Sequence, residues 1–185
     1  TRNQPFTISF WLKSPRHFER AVVFHRSRAW SDSGSRGYEL LIEQGKLSAA
    51  LVHFWPGNAL RIVSRDELPS NIWMHVSLRY DGSSRASGLQ LFVNGQYQEC
   101  DIVRDNLTKH IKGADGLGGG DANELAFGQR FRDVGFKDGQ IDELKIFTRD
   151  LSDLELKLIH LRDVAPDNQA EALHNITDTE LQDYF

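Results

Sequence analysis

Three short segments concentrate the side chains that do recognition chemistry. The first holds His25, Arg26, Arg28 and Trp30, with Arg36 close behind. The second holds His53, Phe54, Trp55 and Asn58, with Arg61. The third is Arg130, Phe131, Arg132 and Asp133. Flat indole faces stack on the C–H faces of a sugar ring, and a guanidinium fork holds two oxygens of a carboxylate or sulfate at once. The ligand-binding candidates are therefore Trp30, Trp55, His53, Arg26, Arg28, Arg36, Arg61, Arg130 and Arg132. The arginine content favours an acidic or sulfated glycan. The same residue types also build domains and docking surfaces: Trp plugs a sandwich end, Arg pairs with Asp32 or Asp133, and both lead interface hot spots. From residue types alone, both uses stay open.

Catalysis finds little support. Glycoside hydrolysis needs two carboxylates facing one bond, which on a strand means even spacing. Asp142 and Glu143 are adjacent, so they point to opposite faces, and no Glu-x-Asp-x-x-Glu run exists. Cys100 has no local partner and reads as a packed or idle thiol. Gly116 to Gly120 is followed by no Lys-Ser or Lys-Thr, so it is not a phosphate loop. The chain is read as a non-enzyme. His25, His53 and His75 are expected to be satisfied or surface residues rather than metal ligands. Asp115, Asp121 and Asn123 bracket the glycine-rich segment and are the candidate ligands for Ca2+, with a solvated loop as the alternative. Asp142 is expected to share a buried face with Leu144 and Ile146 and to fix the turn before it.

Composition narrows the partners. The 185 residues carry a net charge of −4, which gives no global pull toward nucleic acid or an anionic membrane. No apolar run reaches the roughly 18 residues of a membrane span. Cys100 is the single cysteine, so neither an intramolecular disulfide nor a cysteine-based zinc site can form. Thr1 is not an initiator Met and a strand pattern begins at Phe6, so the chain reads as an internal segment of a longer protein.

The elements that must position these residues are mostly strands. Phe6, Ile8, Phe10 and Leu12 alternate with Thr7, Ser9, Trp11 and Lys13, the period of a half-buried strand. Met74 to Tyr80 and Leu89 to Val93 repeat the pattern, and residues 21–25, 38–43, 47–52, 58–63, 125–129 and 141–147 complete the set. Gln44-Gly45 and Asn94-Gly95 mark hairpins. Many short strands without interleaved helices indicate an antiparallel sandwich or barrel. Ser152 with Glu155 three residues on is a capping box, and Leu151, Leu154, Leu158 and Leu161 follow at helical spacing. The spacing predicts a closing helix over 152–162, lying across an end or edge of the sandwich. Residues 1–163 form one domain in this reading, and 164–185 form a tail leading to a following domain, with a second helix start at Thr177 and Glu180.

Four segments in order carry a resemblance: FTISFWLK at Phe6–Lys13, WMHVSLRYDG at Trp73–Gly82, LQLFVNG at Leu89–Gly95 and GQIDELKIFTRDLS at Gly139–Ser152. Over roughly residues 6–160 the chain resembles laminin-G-like domains of the concanavalin A-like lectin/glucanase superfamily. That resemblance implies an all-β, antiparallel jelly-roll β-sandwich with a short C-terminal helix, acting as a lectin-like module. Val23–Trp30, Arg36–Tyr38, His53–Leu60, Ile102–Thr108 and Gly128–Asp133 are similar to modules embedded in large secreted planctomycete-type proteins beside a cytochrome c-like domain. This narrower resemblance implies a secreted or periplasmic location. It also implies two kinds of partner, a glycan or neighbouring domains of the same polypeptide.

Overall fold

The computed structural model describes residues 1–27, 36–111, 124–162 and 164. Among them, eleven strands form two antiparallel sheets. The strands are β1 (Phe6–Lys13), β2 (Arg20–Arg26), β3 (Gly37–Glu43), β4 (Lys46–Phe54), β5 (Asn58–Glu67), β6 (Trp73–Tyr80), β7 (Leu89–Val93), β8 (Gln96–Tyr97), β9 (Cys100–Asp105), β10 (Ala126–Phe127) and β11 (Gln140–Phe147). The five-stranded sheet runs β11-β1-β6-β7-β8, and the six-stranded sheet runs β10-β2-β3-β4-β5-β9. This is the jelly-roll-like sandwich expected from the alternating segments.

Alternation decides what each sheet shows its partner. Ile8, Phe10 and Leu12 of β1 point inward, and Phe10 meets Phe24 edge-on across the sandwich at 5.8 Å between ring centroids. Val76, Leu78 and Leu91 join them from the same sheet, with Leu40, Ile42, Leu51 and Leu60 opposite. Two tight turns lock register. Gln44 and Gly45 have φ of 49° and 74°, and Asn94 and Gly95 have φ of 51° and 73°. Two successive residues in the left-handed region match the twist of the flanking strands.

The helix, α1 (Asp153–Arg162), starts as its capping box requires. The Ser152 N–H donates to Glu155 at 2.8 Å, and the Glu155 N–H donates to Ser152 Oγ at 3.3 Å. Its placement differs from the expectation. It lies across the outer face of the five-stranded sheet, not an end or edge. Leu156 drops beside Phe92 and Phe147, while His160 meets Trp11 and His75 with centroids 5.5 Å apart in each case. Leu158, expected on the buried stripe, is exposed. The outer row Trp11–His75 offers an aromatic floor that draws in His160, and this rotates the helix relative to a pure leucine stripe. Thr7, Ser9, His75 and Ser77 are consequently buried although they face away from the core.

One strand reading also changes. Asp142 is exposed, and so are Leu144 and Ile146. The register between β1 and β11 shifts between Ser9 and Trp11, and Glu143 has φ of 51°. A bulge sits there, so simple alternation fails across it. β11 is also a sheet edge, which leaves Leu144 and Ile146 uncovered. Asp142 Oδ1 accepts the Glu143 N–H at 2.8 Å, so it secures the bulge itself rather than the turn before it.

Candidate functional site

Strand register assembles the site on the outer face of the six-stranded sheet. His25 pairs with Glu39, Glu39 with Ala50, Ala50 with Arg61, and Arg61 with Arg104. These five residues form one rung across β2, β3, β4, β5 and β9. A parallel rung holds Arg20 opposite Glu43. Outward positions of a sheet are ordinarily solvated, yet this face carries interlocked charges of low exposure.

The β2 side of the face is closed. Arg130 and Asp133 reach over it from the segment that follows β10, and Val134 accepts the Val22 N–H at 2.9 Å. The Arg130 side chain is 0% exposed and pairs with Glu39 and, at 2.6 Å, with Asp133. Asp133 also receives Arg20 at 2.7 and 3.0 Å. Burial pushes the Asp133 carboxyl up, but the hydrogen bonds from Arg20 and Arg130 prevail and bring it down to about 2. Arg20 continues to Glu43 at 2.6 Å, and Glu43 pairs with Arg61. The sequence nominates Arg130 as a ligand contact; the structure places it in the interior instead, because only a dedicated carboxylate pair can hold a guanidinium there. His25 is buried too. Its ring is held below its ordinary pKa by burial and then by the Arg130 charge, and its Nδ1 accepts the Ser27 N–H at 3.2 Å.

The β5 and β9 side is open. Trp55 folds back from the β4–β5 turn onto Ala50, Val52 and Ala59, where small side chains leave room for an indole. The ring is half-buried. The Arg61 guanidinium carbon lies 4.9 Å from its centre and that of Arg104 lies 5.7 Å away. Arg61 is anchored by Glu43 and by Ser48 Oγ at 2.9 Å. Arg104 is exposed and donates to the Val103 carbonyl at 2.8 Å. Two like charges directly opposite on neighbouring strands are ordinarily unfavourable. Here Glu43 offsets the Arg61 charge, and both guanidinium groups lie against one aromatic ring.

At the edge of this patch, Arg36 donates to the His53 carbonyl at 3.3 Å and contacts His53 Nε2 at 3.4 Å. His53 Nδ1 donates to the His110 carbonyl at 2.6 Å, so its partners select the Nδ1–H tautomer. Asn58 ties the turn to Thr108 at 2.6 Å, and Phe54 is exposed. The structure thus brings together Trp55, His53, Arg36 and Arg61 from the sequence candidates. Arg26 ends β2 as an exposed residue opposite Tyr38. Arg132 stands apart on the third segment, with φ of 61° and its guanidinium 5.1 Å from the exposed Phe131 ring. Arg28 and Trp30 lie outside the described residues, as do Asp115, Asp121 and Asn123, the candidate Ca2+ ligands. Among the described residues, no group of three or more His, Cys, Asp or Glu side chains gathers as a metal site, and no helix is long and apolar enough to cross a membrane.

Reading the sequence by segment missed Arg20, Glu39, Glu43, Ser48 and Arg104. Their signal is polar residues sharing one face of otherwise apolar strands, as Glu39 and Glu43 do in β3.

A family described as the concanavalin A-like lectin/glucanases superfamily, Laminin_G_3, matches residues 1–157. The chain belongs to this family. No curated protein sequence matches this Laminin_G_3 domain. Among solved structures, it is similar to the CBM40 domain of a Ruminococcus gnavus IT-sialidase bound to α2,3-sialyllactose. There the identity is 17% and the TM-score 0.64, over 85% of this chain and 82% of that one. It is also similar to the binding domain of botulinum neurotoxin DC in complex with SialylT, at 14% identity and a TM-score of 0.55 over 85% of this chain. The receptor-binding domain of the botulinum neurotoxin C/D mosaic serotype matches at 14% identity and a TM-score of 0.55 over 88% of it. The Laminin_G_3 domain spans only 35% and 37% of those two neurotoxin chains. At these identities the likeness establishes the shared sandwich.

Proposed function

We propose that this Laminin_G_3 domain is a non-catalytic carbohydrate-binding module of a larger exported protein, with a preference for acidic or sulfated glycans. The observation that carries the reading is Trp55, a half-buried indole seated on Ala50, Val52 and Ala59 between Arg61 and Arg104. An aromatic face takes the sugar ring, and the exposed Arg104 takes its carboxylate or sulfate, with Arg61 held by Glu43 against the indole. Support comes from two sialylated ligands in complexes of the same fold, sialyllactose on the CBM40 domain and SialylT on the neurotoxin domain.

The test is a glycan array followed by calorimetry on the wild type, Trp55→Ala and Arg104→Ala. The wild type binds acidic glycans above neutral ones. Trp55→Ala loses at least tenfold for every ligand, and Arg104→Ala loses selectivity for the charged ones. Added salt weakens the charged ligands preferentially.

A second reading, an interdomain or protein-interaction module, is favoured by one observation. Phe131 and Val134 are exposed apolar residues on a segment anchored by the buried Arg130. A wild type that binds no glycan while a purified neighbouring domain binds it at Phe131 decides for that reading.

A further inference from the structure

Around the rim from Trp55 lies a concavity. A cleft of about 400 Å³ opens at the end of the sandwich, lined by Gln4, Phe6, Arg26, Gly37, Tyr38 and Ile111. That volume falls in the range of small-ligand sites, roughly 300–1,000 Å³. Its walls carry the groups a sugar needs. Phe6 and Tyr38 stack with centroids 5.1 Å apart and an interplanar angle of 29°, which makes an aromatic wall. Arg26 pairs with Tyr38 in strand register and sits exposed at the mouth. Gln4 brings its amide N–H donors, while its Oε1 accepts from the Thr1 amino group at 2.5 Å. Gly37 lets the β2 backbone come close beside the cleft: a Cβ there falls 1.8 Å from the Arg26 carbonyl oxygen, at φ of 145°.

The cleft and the Trp55 patch adjoin. Gly37 pairs with Val52, and Val52 is one of the residues beneath Trp55. Between them stand Arg36, next in sequence to Gly37, and His53, tied together through the Arg36 contacts at 3.3 and 3.4 Å. A line of aromatic and cationic groups therefore runs from Trp55 past His53 and Arg36 to Arg26 and Tyr38.

We infer that the cleft is a second sugar subsite, and that the ligand is an oligosaccharide crossing the rim from Trp55 into it. This rests on the carbohydrate reading of Trp55. Strands β3 and β5 are two spacings apart, about 10 Å, so a ligand touching both places has more than one sugar ring.

Calorimetry with chondroitin sulfate di-, tetra- and hexasaccharides, and with sialic acid against 3′-sialyllactose, tests this on the full chain. In the wild type, affinity rises at least tenfold from the shortest to the longest probe of the series that binds. Arg26→Ala and Gln4→Ala, checked for folding by circular dichroism, flatten that rise and leave the shortest probe unchanged. Trp55→Ala weakens every length. If both cleft variants keep the wild-type length dependence while Trp55→Ala weakens binding, the subsite is wrong and the Trp55 reading stands. If no probe of any length binds the wild type, the carbohydrate reading fails and the subsite fails with it.

Discussion

Replacing Asp133 by Asn removes one charge from the buried network that closes the β2 side of the face. The Asp133 side chain is 2% exposed and receives both Arg20 and Arg130. Its carboxyl is lowered from 3.8 to about 2. At roughly 1.4 kcal/mol per pH unit, that depression is worth about 2.5 kcal/mol of stability at neutral pH. The substitution also leaves Arg130, 0% exposed, with Glu39 as its remaining carboxylate. Undercompensating a buried charge costs about 3–5 kcal/mol, a figure that overlaps the first. We expect Asp133→Asn to lose about 3 kcal/mol in urea unfolding at pH 7, and about 6–12 °C in Tm for a domain of this size. The pH dependence carries the sharper signature. A depressed carboxylate stabilises fully above its unfolded pKa, and that contribution is lost as pH falls through its folded value. The gap between wild type and Asp133→Asn should therefore be constant above about pH 4.5 and shrink toward pH 2. A gap below 1 kcal/mol, or one that stays constant from pH 7 to pH 2, refutes the reasoning.

Glu155→Gln should loosen α1. Arg149, first, and Ser152 hold the Glu155 carboxyl down at about 2 from 4.5, but Arg149 is 58% exposed, so solvent screening limits the loss to about 1–2 kcal/mol. Circular dichroism at 222 nm should show reduced helicity, and the wild-type advantage should fade between about pH 4.5 and pH 2. Gly37→Ala should cost about 3 kcal/mol or more, because its Cβ meets backbone at 1.8 Å; a thermal melt within 2 °C of wild type would contradict this. Burial, first, and the neighbouring Asp101 push the Cys100 thiol up from 9.0 to about 11, so iodoacetamide at pH 8 should react about 100-fold more slowly than with an unhindered thiol. Urea should abolish that protection.

The strands were readable from sequence because each β1-like segment repeats one bit of information, in or out, at every second residue. The hairpins were readable because Asn94-Gly95 and Gln44-Gly45 adopt left-handed backbone that few residue pairs tolerate. Readability failed wherever a distant partner decides the outcome. Arg130 is interior because Glu39, 91 positions away, and Asp133 await it; no local pattern announces that. Arg104 joins the site only through the β5–β9 register. Asp142 departs from the alternating pattern because the bulge at Glu143 breaks the two-residue period. Leu156 replaced Leu158 on the helix's buried side because Trp11 and His75, not a leucine groove, form the floor.

With α1 laid over the outer side of one sheet and Trp55 on the outer side of the other, the two broad surfaces have opposite characters. One carries the helix; the other carries the indole. Copies arrayed with their helices against a support would all turn the Trp55 side the same way, and on the proposed carbohydrate reading weak single contacts would add together.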